Sequence, residues 1–197
     1  MCTKLGTIKK TALSDFKNIR GSGIIAIRLS GPDGLMWARI TGGKDMVVLA
    51  TLEGKAIVFK EKDVRPTGRN SMGVRAITLN KNDLVTSMDV FSEKEKDKKM
   101  IVISERGIGK KAKIMLFRLQ RRGGKGVKIA NIDERTGPIA FSSIIHNEED
   151  TLLITSRKGH VVKIPVKTIP SLSRQAKGVI LMRFSDKSDK VASATFI

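Results

Sequence analysis

The 197-residue sequence has no tyrosine and only one cysteine, one tryptophan and two histidines. Chemistry that needs a tyrosine hydroxyl is therefore absent from this chain, and a single thiol, Cys2, cannot form an internal disulfide. Cys2, His146 and His160 are far apart in sequence and lack the spacing of zinc ligands, so we expect no metal site. A phosphate loop of the G-x-x-x-x-G-K-[ST] type is missing as well, which predicts that the chain itself binds no ATP.

Long apolar runs are also missing. The longest, at 23–27 and 46–50, have about five residues, far below the roughly 20 that a helix needs to cross a bilayer. The first ten residues lack the apolar stretch of a secretory signal. The sequence therefore predicts no membrane partner, and together with the single cysteine it favours a cytoplasmic location.

Acidic residues are scarce, with 19 Asp and Glu against 38 Lys and Arg, which gives a formal net charge of +19. An excess of this size predicts a polyanionic partner. With 40% hydrophobic residues, the chain has enough apolar material to build a core.

Glycines divide the sequence into four repeats of about 50 residues. A first marker glycine precedes a β-branched, basic segment, and successive first markers are 48, 53 and 52 residues apart. A second marker glycine follows after 17 residues in the first repeat and after 19 in the other three. The first markers are Gly6, Gly54, Gly107 and Gly159, and the second markers are Gly23, Gly73, Gly126 and Gly178. A period of this length is typical of blade arrays.

Short runs rich in Val, Ile and Thr, bounded by Gly, Asp, Asn or Lys, predict four strands in each repeat. Because no window of eleven or more residues has a helical period, we predict an all-β fold. The expected architecture is a propeller-like array of four blades with about 15 strands. It forms a single domain over 1–197, with blades at approximately 1–52, 53–105, 106–156 and 157–197.

The net charge lies in one part of the repeat, between the strand that follows the first marker and the second marker. These basic connections are residues 9–22, 60–75, 110–128 and 163–183, with net charges of +3, +3, +8 and +5. The other residues are neutral overall, with 16 basic and 16 acidic side chains. Solvated loops would not explain why acidic residues are few here and abundant elsewhere. Equivalent positions of successive blades lie side by side, so we expect a continuous basic stripe that binds nucleic acid.

Duplex DNA fits this stripe better than single strands or RNA. Binders of unpaired bases stack them on exposed aromatic side chains. Phe16 and Phe117 precede two of the basic turns, but a phenylalanine in a β protein is more often part of the core. Reading of the major groove would need an inserted helix or a β-ribbon, and the sequence indicates neither. Contact with the duplex backbone, sensitive to sequence only through bendability, is the remaining expectation.

The third basic connection contains the string QRRGGKG at 120–126. Two guanidinium groups and an ammonium group suit phosphate oxygens. The paired glycines permit positive φ and let backbone N–H groups approach the same phosphates. At this place in a β repeat of about 50 residues, the string resembles the gyrase box of the C-terminal domain of DNA gyrase A.

The resemblance covers essentially the whole chain, whose repeats look like the last four blades of that domain. It implies a β-pinwheel, in which usually six propeller-like blades bend and wrap duplex DNA around a basic rim. The DNA-cleaving tyrosine of the family lies in another domain, so no catalytic residue is expected here. Two features depart from the family pattern: there are four blades, and the box string lies in the third blade although the family usually has it in the first.

The resemblance also implies partners. These are double-stranded DNA, the rest of gyrase A, and gyrase B, in the bacterial cytoplasm near the nucleoid. ATP and magnesium are implied for the holoenzyme only, and no cofactor is implied for this chain.

Candidate DNA-contacting residues belong to the box string and to the equivalent parts of the other basic connections. Lys9, Lys60 and Lys163 could instead pack along their stems. In the third repeat the candidates are Gln120, Arg121, Arg122, Gly123, Gly124, Lys125 and Gly126, then Lys110 and Lys111. In the other repeats they are Arg20, Arg69, Arg174 and Lys177, with Lys9, Lys10, Lys60 and Lys163 on the strands that lead in.

Three alternatives remain open. The C-terminal domain of topoisomerase IV resembles the same pinwheel without an intact box. A propeller scaffold could bind an acidic protein, and an RNA-binding protein would prefer structured RNA and would not bend DNA.

Overall fold

The computed structural model describes residues 1–19 and 21–197, and the all-β prediction is confirmed. Helical structure in these residues consists of single-turn 3₁₀ helices at Leu13–Phe16, Glu61–Asp63, Glu93–Glu95, Ile114–Leu116 and Val166–Thr168. The described residues form 15 strands, in line with the expected number. They are β1 (Cys2–Thr3), β2 (Thr7–Ile8), β3 (Leu35–Trp37), β4 (Met46–Thr51), β5 (Lys55–Lys60), β6 (Val74–Arg75), β7 (Val85–Phe91), β8 (Lys99–Ser104), β9 (Ile108–Lys113), β10 (Val127–Lys128), β11 (Ile139–Ile144), β12 (Thr151–Ser156), β13 (Val161–Pro165), β14 (Val179–Ile180) and β15 (Val191–Phe196).

The first marker glycine of every repeat lies at the tip of a hairpin. At each tip the glycine N–H donates a hydrogen bond to the carbonyl three residues earlier, over 3.0 to 3.1 Å. The pairs are Gly6 with Thr3, Gly54 with Thr51, Gly107 with Ser104, and Gly159 with Ser156. The same hydrogen bond in all four places shows that the repeat seen in the sequence is also a repeat of local structure.

The strands form four antiparallel sheets that exchange strands between repeats. The sheet orders are β3-β1-β2-β6, β7-β4-β5-β10, β11-β8-β9-β14 and β15-β12-β13. In each of the first three sheets, the last strand has two residues and comes from the next repeat, directly after its second marker glycine. The ranges 1–52, 53–105, 106–156 and 157–197 thus describe sequence repeats, and hydrogen bonding crosses the limits between them.

The second marker glycines make this exchange possible. Gly126 has a φ of +72°, and a Cβ built on it would lie 2.6 Å from the Ala56 carbonyl oxygen in the preceding sheet. A Cβ built on Gly73 would lie 2.6 Å from the Ile8 carbonyl oxygen at β2, and one built on Gly178 would lie 2.5 Å from the Gly109 carbonyl oxygen in β9. Because a side chain would block this approach, glycine is needed wherever a connection reaches the preceding sheet.

The core lies between neighbouring sheets. β4 is buried along its whole length: Val47 and Leu49 pack towards the first sheet, and Val48 and Ala50 towards the third. A strand buried on both faces has a continuous apolar run, which explains the sequence MVVLAT. Cys2 is fully buried in the hydrophobic cluster between the first and second sheets. Burial raises the pKa of its thiol to about 12.

The fourth sheet is covered mainly on one face. In β12, Leu152 and Ile154 are fully buried and Leu153 between them is partly exposed. Hydrophobic clusters join the first sheet to the second, the second to the third, and the third to the fourth. Within residues 1–19 and 21–197, none of these clusters combines the fourth sheet with the first. The clusters therefore join the four sheets in chain order, each to the next.

In the described part of the chain, no helix is long and apolar enough to cross a membrane.

Gly126→Ala is expected to lower the free energy of unfolding by about 2 to 5 kcal/mol. The positive φ costs an alanine about 1 to 2 kcal/mol, and the contact with the Ala56 carbonyl adds an overpacking penalty of about 1 to 3 kcal/mol. The control is Gly23→Ala, because Gly23 has a similar φ of +77° and no described atom within 4 Å of its Cβ position. Urea-induced unfolding measures the loss of unfolding free energy in both variants. Equal losses would show that strand exchange does not depend on this close approach.

Candidate nucleic-acid interface

The last three basic connections, 60–75, 110–128 and 163–183, each leave their own repeat and lie against the preceding sheet. Isolated parallel bridges join Lys10 to Pro66, Val58 to Leu119 and Lys111 to Ser171. Beyond these bridges, the connections continue into the exchanged strands β6, β10 and β14. We call the contact of connection 60–75 with the first sheet the first junction, that of 110–128 with the second sheet the second junction, and that of 163–183 with the third sheet the third junction.

Successive turns of the basic connections are hydrogen-bonded to one another. In three repeats, the residue five positions after the second marker glycine donates a hydrogen bond from its backbone N–H to a carbonyl in the turn of the next repeat. These bonds run from Arg28 to Ser71 over 3.1 Å, from Thr78 to Gly124 over 2.9 Å, and from Asn131 to Gln175 over 3.2 Å. The turns 68–72, 120–125 and 173–177, with residues 24–28, 74–78 and 127–131, thus form one continuous structure, which we call the basic ribbon.

The main chain of the QRRGGKG turn is fixed by its neighbours. The Gln120 N–H donates to the Val58 carbonyl over 2.8 Å, and the Gly123 N–H donates to the Ala76 carbonyl over 2.6 Å. The Thr78 hydroxyl donates to the Gly123 carbonyl over 2.7 Å. The expectation that backbone N–H groups of the paired glycines meet phosphate is therefore wrong for Gly123, whose N–H is already bonded within the protein.

The charged side chains of the same turn point in two directions. Arg121 and Lys125 are exposed, and neither forms a side-chain hydrogen bond or ion pair with another described residue. Arg122 is partly buried, and its Nε donates to the Asp63 carbonyl over 2.8 Å. Its Nη1 donates to the Arg75 carbonyl over 3.2 Å. Arg122 thus ties the turn to the preceding repeat, whereas Arg121 and Lys125 can meet a ligand.

The equivalent arginines and lysines of the other turns differ in their exposure and in their bonding partners. Arg174 repeats the inward contact of Arg122, because its guanidinium donates to the carbonyl of Lys128. Lys177 is exposed and pairs with Asp133. Arg69 is partly buried. Arg20, which the sequence also marked as a candidate, lies outside the described residues.

Two predicted contact residues, Lys9 and Lys110, are buried, with exposed fractions of 2% and 0%. The Lys110 Nζ donates to the carbonyls of Ser173 and Arg174, each over 2.7 Å. The Lys9 Nζ donates to the Ala26 carbonyl over 2.8 Å and to the Arg69 carbonyl. Burial, and to a smaller extent the nearby Arg174 guanidinium, lowers the pKa of Lys110 to about 8. These ammonium groups face main-chain carbonyls rather than solvent, so the structure gives no route for a phosphate to reach them.

Three further candidate lysines outside the turns, Lys111, Lys10 and Lys60, also bind within the protein. The Lys111 Nζ donates to the Val166 carbonyl over 2.9 Å and pairs with Glu148 at 2.6 Å. The Lys10 Nζ lies 3.3 Å from the Glu61 carbonyl and 3.5 Å from its carboxylate. Lys60 pairs with Glu93 at 3.3 Å on the surface. Lys163 differs, since it is exposed and bonds to no other described side chain.

Comparison with known proteins places this arrangement in a family. Residues 1–41, 45–92, 98–141 and 150–197 match the family described as the DNA gyrase C-terminal domain, a beta-propeller. The chain belongs to this family. The four matched segments follow the four repeats one by one.

Full-length relatives are several times longer. The DNA gyrase A protein of Staphylococcus epidermidis is 36% identical over 184 residues, which are 93% of this chain and 20% of the relative. The match to the DNA gyrase A protein of Staphylococcus aureus is 37% identical over the same length. The chain therefore spans about a fifth of the curated relatives that it matches.

Solved structures share the β-pinwheel fold of these gyrase domains. The crystal structure of the C-terminal domain of DNA topoisomerase IV superposes with a TM-score of 0.92 at 26% identity, covering 100% of this chain and 60% of that one. A structure of the DNA gyrase A C-terminal domain superposes with a TM-score of 0.85 at 23% identity, covering 99% and 64%. The latter likeness bears on the fold alone.

Several exposed basic residues of the connections were not singled out from the sequence. They lie outside the glycine turns and form no side-chain hydrogen bond or ion pair among the described residues. The charge count of the connections already included them, but charge alone does not tell an exposed lysine from a buried one. The set consists of Lys17, Lys62, Arg65, Arg75, Lys113, Arg118, Lys128 and Arg183. Phe117 is 5% exposed and belongs to the core, as expected, and Phe16 is partly buried.

The lowered pKa of Lys110 predicts a pH dependence of stability. Between about pH 8 and the ordinary lysine value of 10.5, the unfolded chain keeps a proton that the folded chain has lost. The free energy of unfolding therefore rises with pH in this window, by at most about 1.4 kcal/mol per pH unit for one proton. Urea unfolding between pH 7 and 10.5 should show the wild type gaining stability over Lys110→Met above pH 8. Parallel pH profiles would contradict the prediction.

Proposed function

We propose that this chain binds duplex DNA along the basic ribbon and bends it around the blade array, without reading base sequence. The observation that carries this proposal is the continuity of the ribbon. Its turns are linked by main-chain hydrogen bonds from one repeat to the next, and the three connections that contain them carry net charges of +3, +8 and +5. A duplex can follow a continuous basic surface of this kind, because every turn offers a phosphate contact.

Exposed cations supply these contacts. In the third repeat they are Arg121 and Lys125, whose charges have no partner among the described residues. Lys177 contributes in the last repeat, because a surface ion pair such as that with Asp133 contributes only about 0 to 1 kcal/mol and exchanges for phosphate. Lys163, Lys113 and the other exposed basic residues of the connections extend the contact surface. Arg122 and Arg174 support the turns from within.

The number of contacts is sufficient for bending. Curving 20 to 30 base pairs by 40 to 90° costs on the order of 1 to 6 kcal/mol. Six to ten phosphate contacts predict a slope of log K against log salt of roughly −5 to −9. Contacts of this kind offset the cost of bending without any side chain entering a groove, which makes the binding insensitive to sequence except through DNA stiffness.

Within the gyrase family this role places the chain in a larger enzyme. We infer that it acts with the rest of gyrase A and with gyrase B, in the bacterial cytoplasm near the nucleoid. DNA cleavage requires a residue that this tyrosine-free chain does not have. ATP and magnesium are used by other parts of the holoenzyme in this proposal. The chain contributes the path of the DNA and no covalent chemistry.

A domain of the topoisomerase IV type is the second candidate. It is favoured by the higher TM-score of that structure, 0.92 against 0.85. The gyrase assignment is favoured by the QRRGGKG string and by the 36% identity to a gyrase A protein. Wrapping that depends on the QRRGGKG string would favour the gyrase type, since the topoisomerase IV type resembles the same pinwheel without an intact box.

Ligation of nicked circular DNA in the presence of the chain is expected to change the linking number in proportion to the bound protein. The same protein should shorten the end-to-end distance of linear duplex. DNA binding with neither effect would contradict wrapping. Preference for structured RNA would favour the RNA-binding alternative, and absence of a DNA complex at moderate salt, with a copurifying acidic protein, would favour the scaffold.

Replacing Arg121 and Lys125 together with alanine is expected to reduce the magnitude of the salt slope by about 2, because each phosphate contact contributes about 0.9. The linking-number change per bound protein should fall as well, since both residues belong to the most basic turn. The matched control is Lys94→Ala with Lys96→Ala, which removes two exposed charges outside the basic connections. If the control reduces slope and wrapping equally, the ribbon is not the binding surface.

A further inference from the structure

The three junctions are built with different side chains at the same two positions. Three and four residues after the first marker glycine stand Lys9 and Lys10 at the first junction, and Lys110 and Lys111 at the third. The second junction has Ile57 and Val58 there, both buried. One repeat position therefore carries a buried ammonium group at the outer junctions and an apolar side chain at the central one.

The first lysine of each pair contacts the turn of the next repeat. Lys110 bonds to the carbonyls of Ser173 and Arg174, and Lys9 bonds to the carbonyl of Arg69, the residue equivalent to Arg174. The second lysine bonds to the first residue of the next 3₁₀ helix, Val166 for Lys111 and Glu61 for Lys10. Each pair thus attaches the crossing connection at two points.

Stability does not explain the buried ammonium groups. Taking a charge out of water is unfavourable unless partners compensate it, and an apolar side chain of similar volume is often equally good. Ile57 shows that this fold accepts an apolar residue there, where it packs under the box turn 3.5 Å from the Cβ position of Gly124. At that junction the turn is held instead by Arg122 and by the Thr78 hydroxyl.

The geometry points instead to a role for the ammonium groups in orienting the next turn of the basic ribbon. Two carbonyls drawn towards Lys110 fix which side of the 173–177 turn faces the protein. The other side then presents Lys177, and the guanidinium of Arg174 donates to the Lys128 carbonyl in the preceding repeat. Without an inward donor, the turn could rotate its carbonyls towards solvent and place acceptors where phosphates approach.

We propose that Lys110, and Lys9 at the first junction, are positioning residues for DNA: their buried ammonium groups hold the next turn of the basic ribbon with its carbonyls inward, so that its exposed side, which carries Lys177 at the third junction, faces the duplex. This inference rests on the proposed function, because it concerns how the duplex meets the ribbon. These lysines support bending without touching phosphate. The path of the DNA at the outer junctions then depends on residues that the DNA does not contact.

The test is Lys110→Met, with Lys113→Met as its matched control, since Lys113 lies in the same strand and is exposed. Lys110→Met should leave the salt slope unchanged and should at least halve the linking-number change per bound protein. It should also speed amide exchange about tenfold or more in 172–178, where the N–H groups of Leu172 and Ala176 are bonded, with no change in β12. Lys113→Met should lower the slope by about 1 and leave amide exchange as in the wild type.

In Lys110→Met, a reduced salt slope of DNA binding with unchanged amide exchange in 172–178 would overturn the proposal, because it would make Lys110 a phosphate contact. If Lys110→Met does not fold, Lys9→Met is measured in the same way, with exchange followed in 67–72. Loss of the fold in both variants would overturn the proposal too, since the ammonium groups would then serve folding itself. A wild type that leaves the linking number unchanged refutes the proposed function, whereas the exchange data alone decide whether Lys110 holds the turn.

Discussion

Hydrogen bonding between the last three basic connections and the preceding sheets is the interaction on which the rest of this structure depends. A sheet edge with unpaired N–H and C=O groups is a site for unwanted association, and in this chain the next repeat covers that edge with a two-residue strand. The exchange needs a glycine such as Gly126 at the point of closest approach. Strand exchange also sets the position of the basic side chains, because the basic turn immediately precedes the glycine.

The excess of positive charge serves two structural purposes. Part of it points outward, as at Arg121 and Lys125, which are the phosphate contacts of the proposed function. Another part points inward: Arg122 and Lys110 donate to main-chain carbonyls of adjoining repeats. The inward cations shape the surface that the outward ones present. Counting all basic residues as contacts would therefore overstate the electrostatic attraction and miss the support beneath it.

Sequence reasoning recovered the repeat, the all-β class and the concentration of charge because each of these is a pattern of spacing. It also assigned Phe117 to the core correctly. It could not recover the direction of individual side chains. Lys110 and Lys113 belong to one strand and have the same charge, yet one is buried and the other exposed, because the carbonyls of Ser173 and Arg174 lie over one of them. Those carbonyls are more than 60 residues away.

The sequence by itself determined the four repeats, the strands and the basic connections, since glycine spacing, β-branched runs and charge are local properties of the chain. The tertiary structure decided that the sheets exchange strands, that the turns join into one ribbon, and that Gly123 gives its N–H to Ala76. These outcomes depend on main-chain groups of different repeats meeting in space. A main-chain carbonyl is the same in every residue, so no sequence pattern reveals which carbonyl a given lysine or arginine will reach.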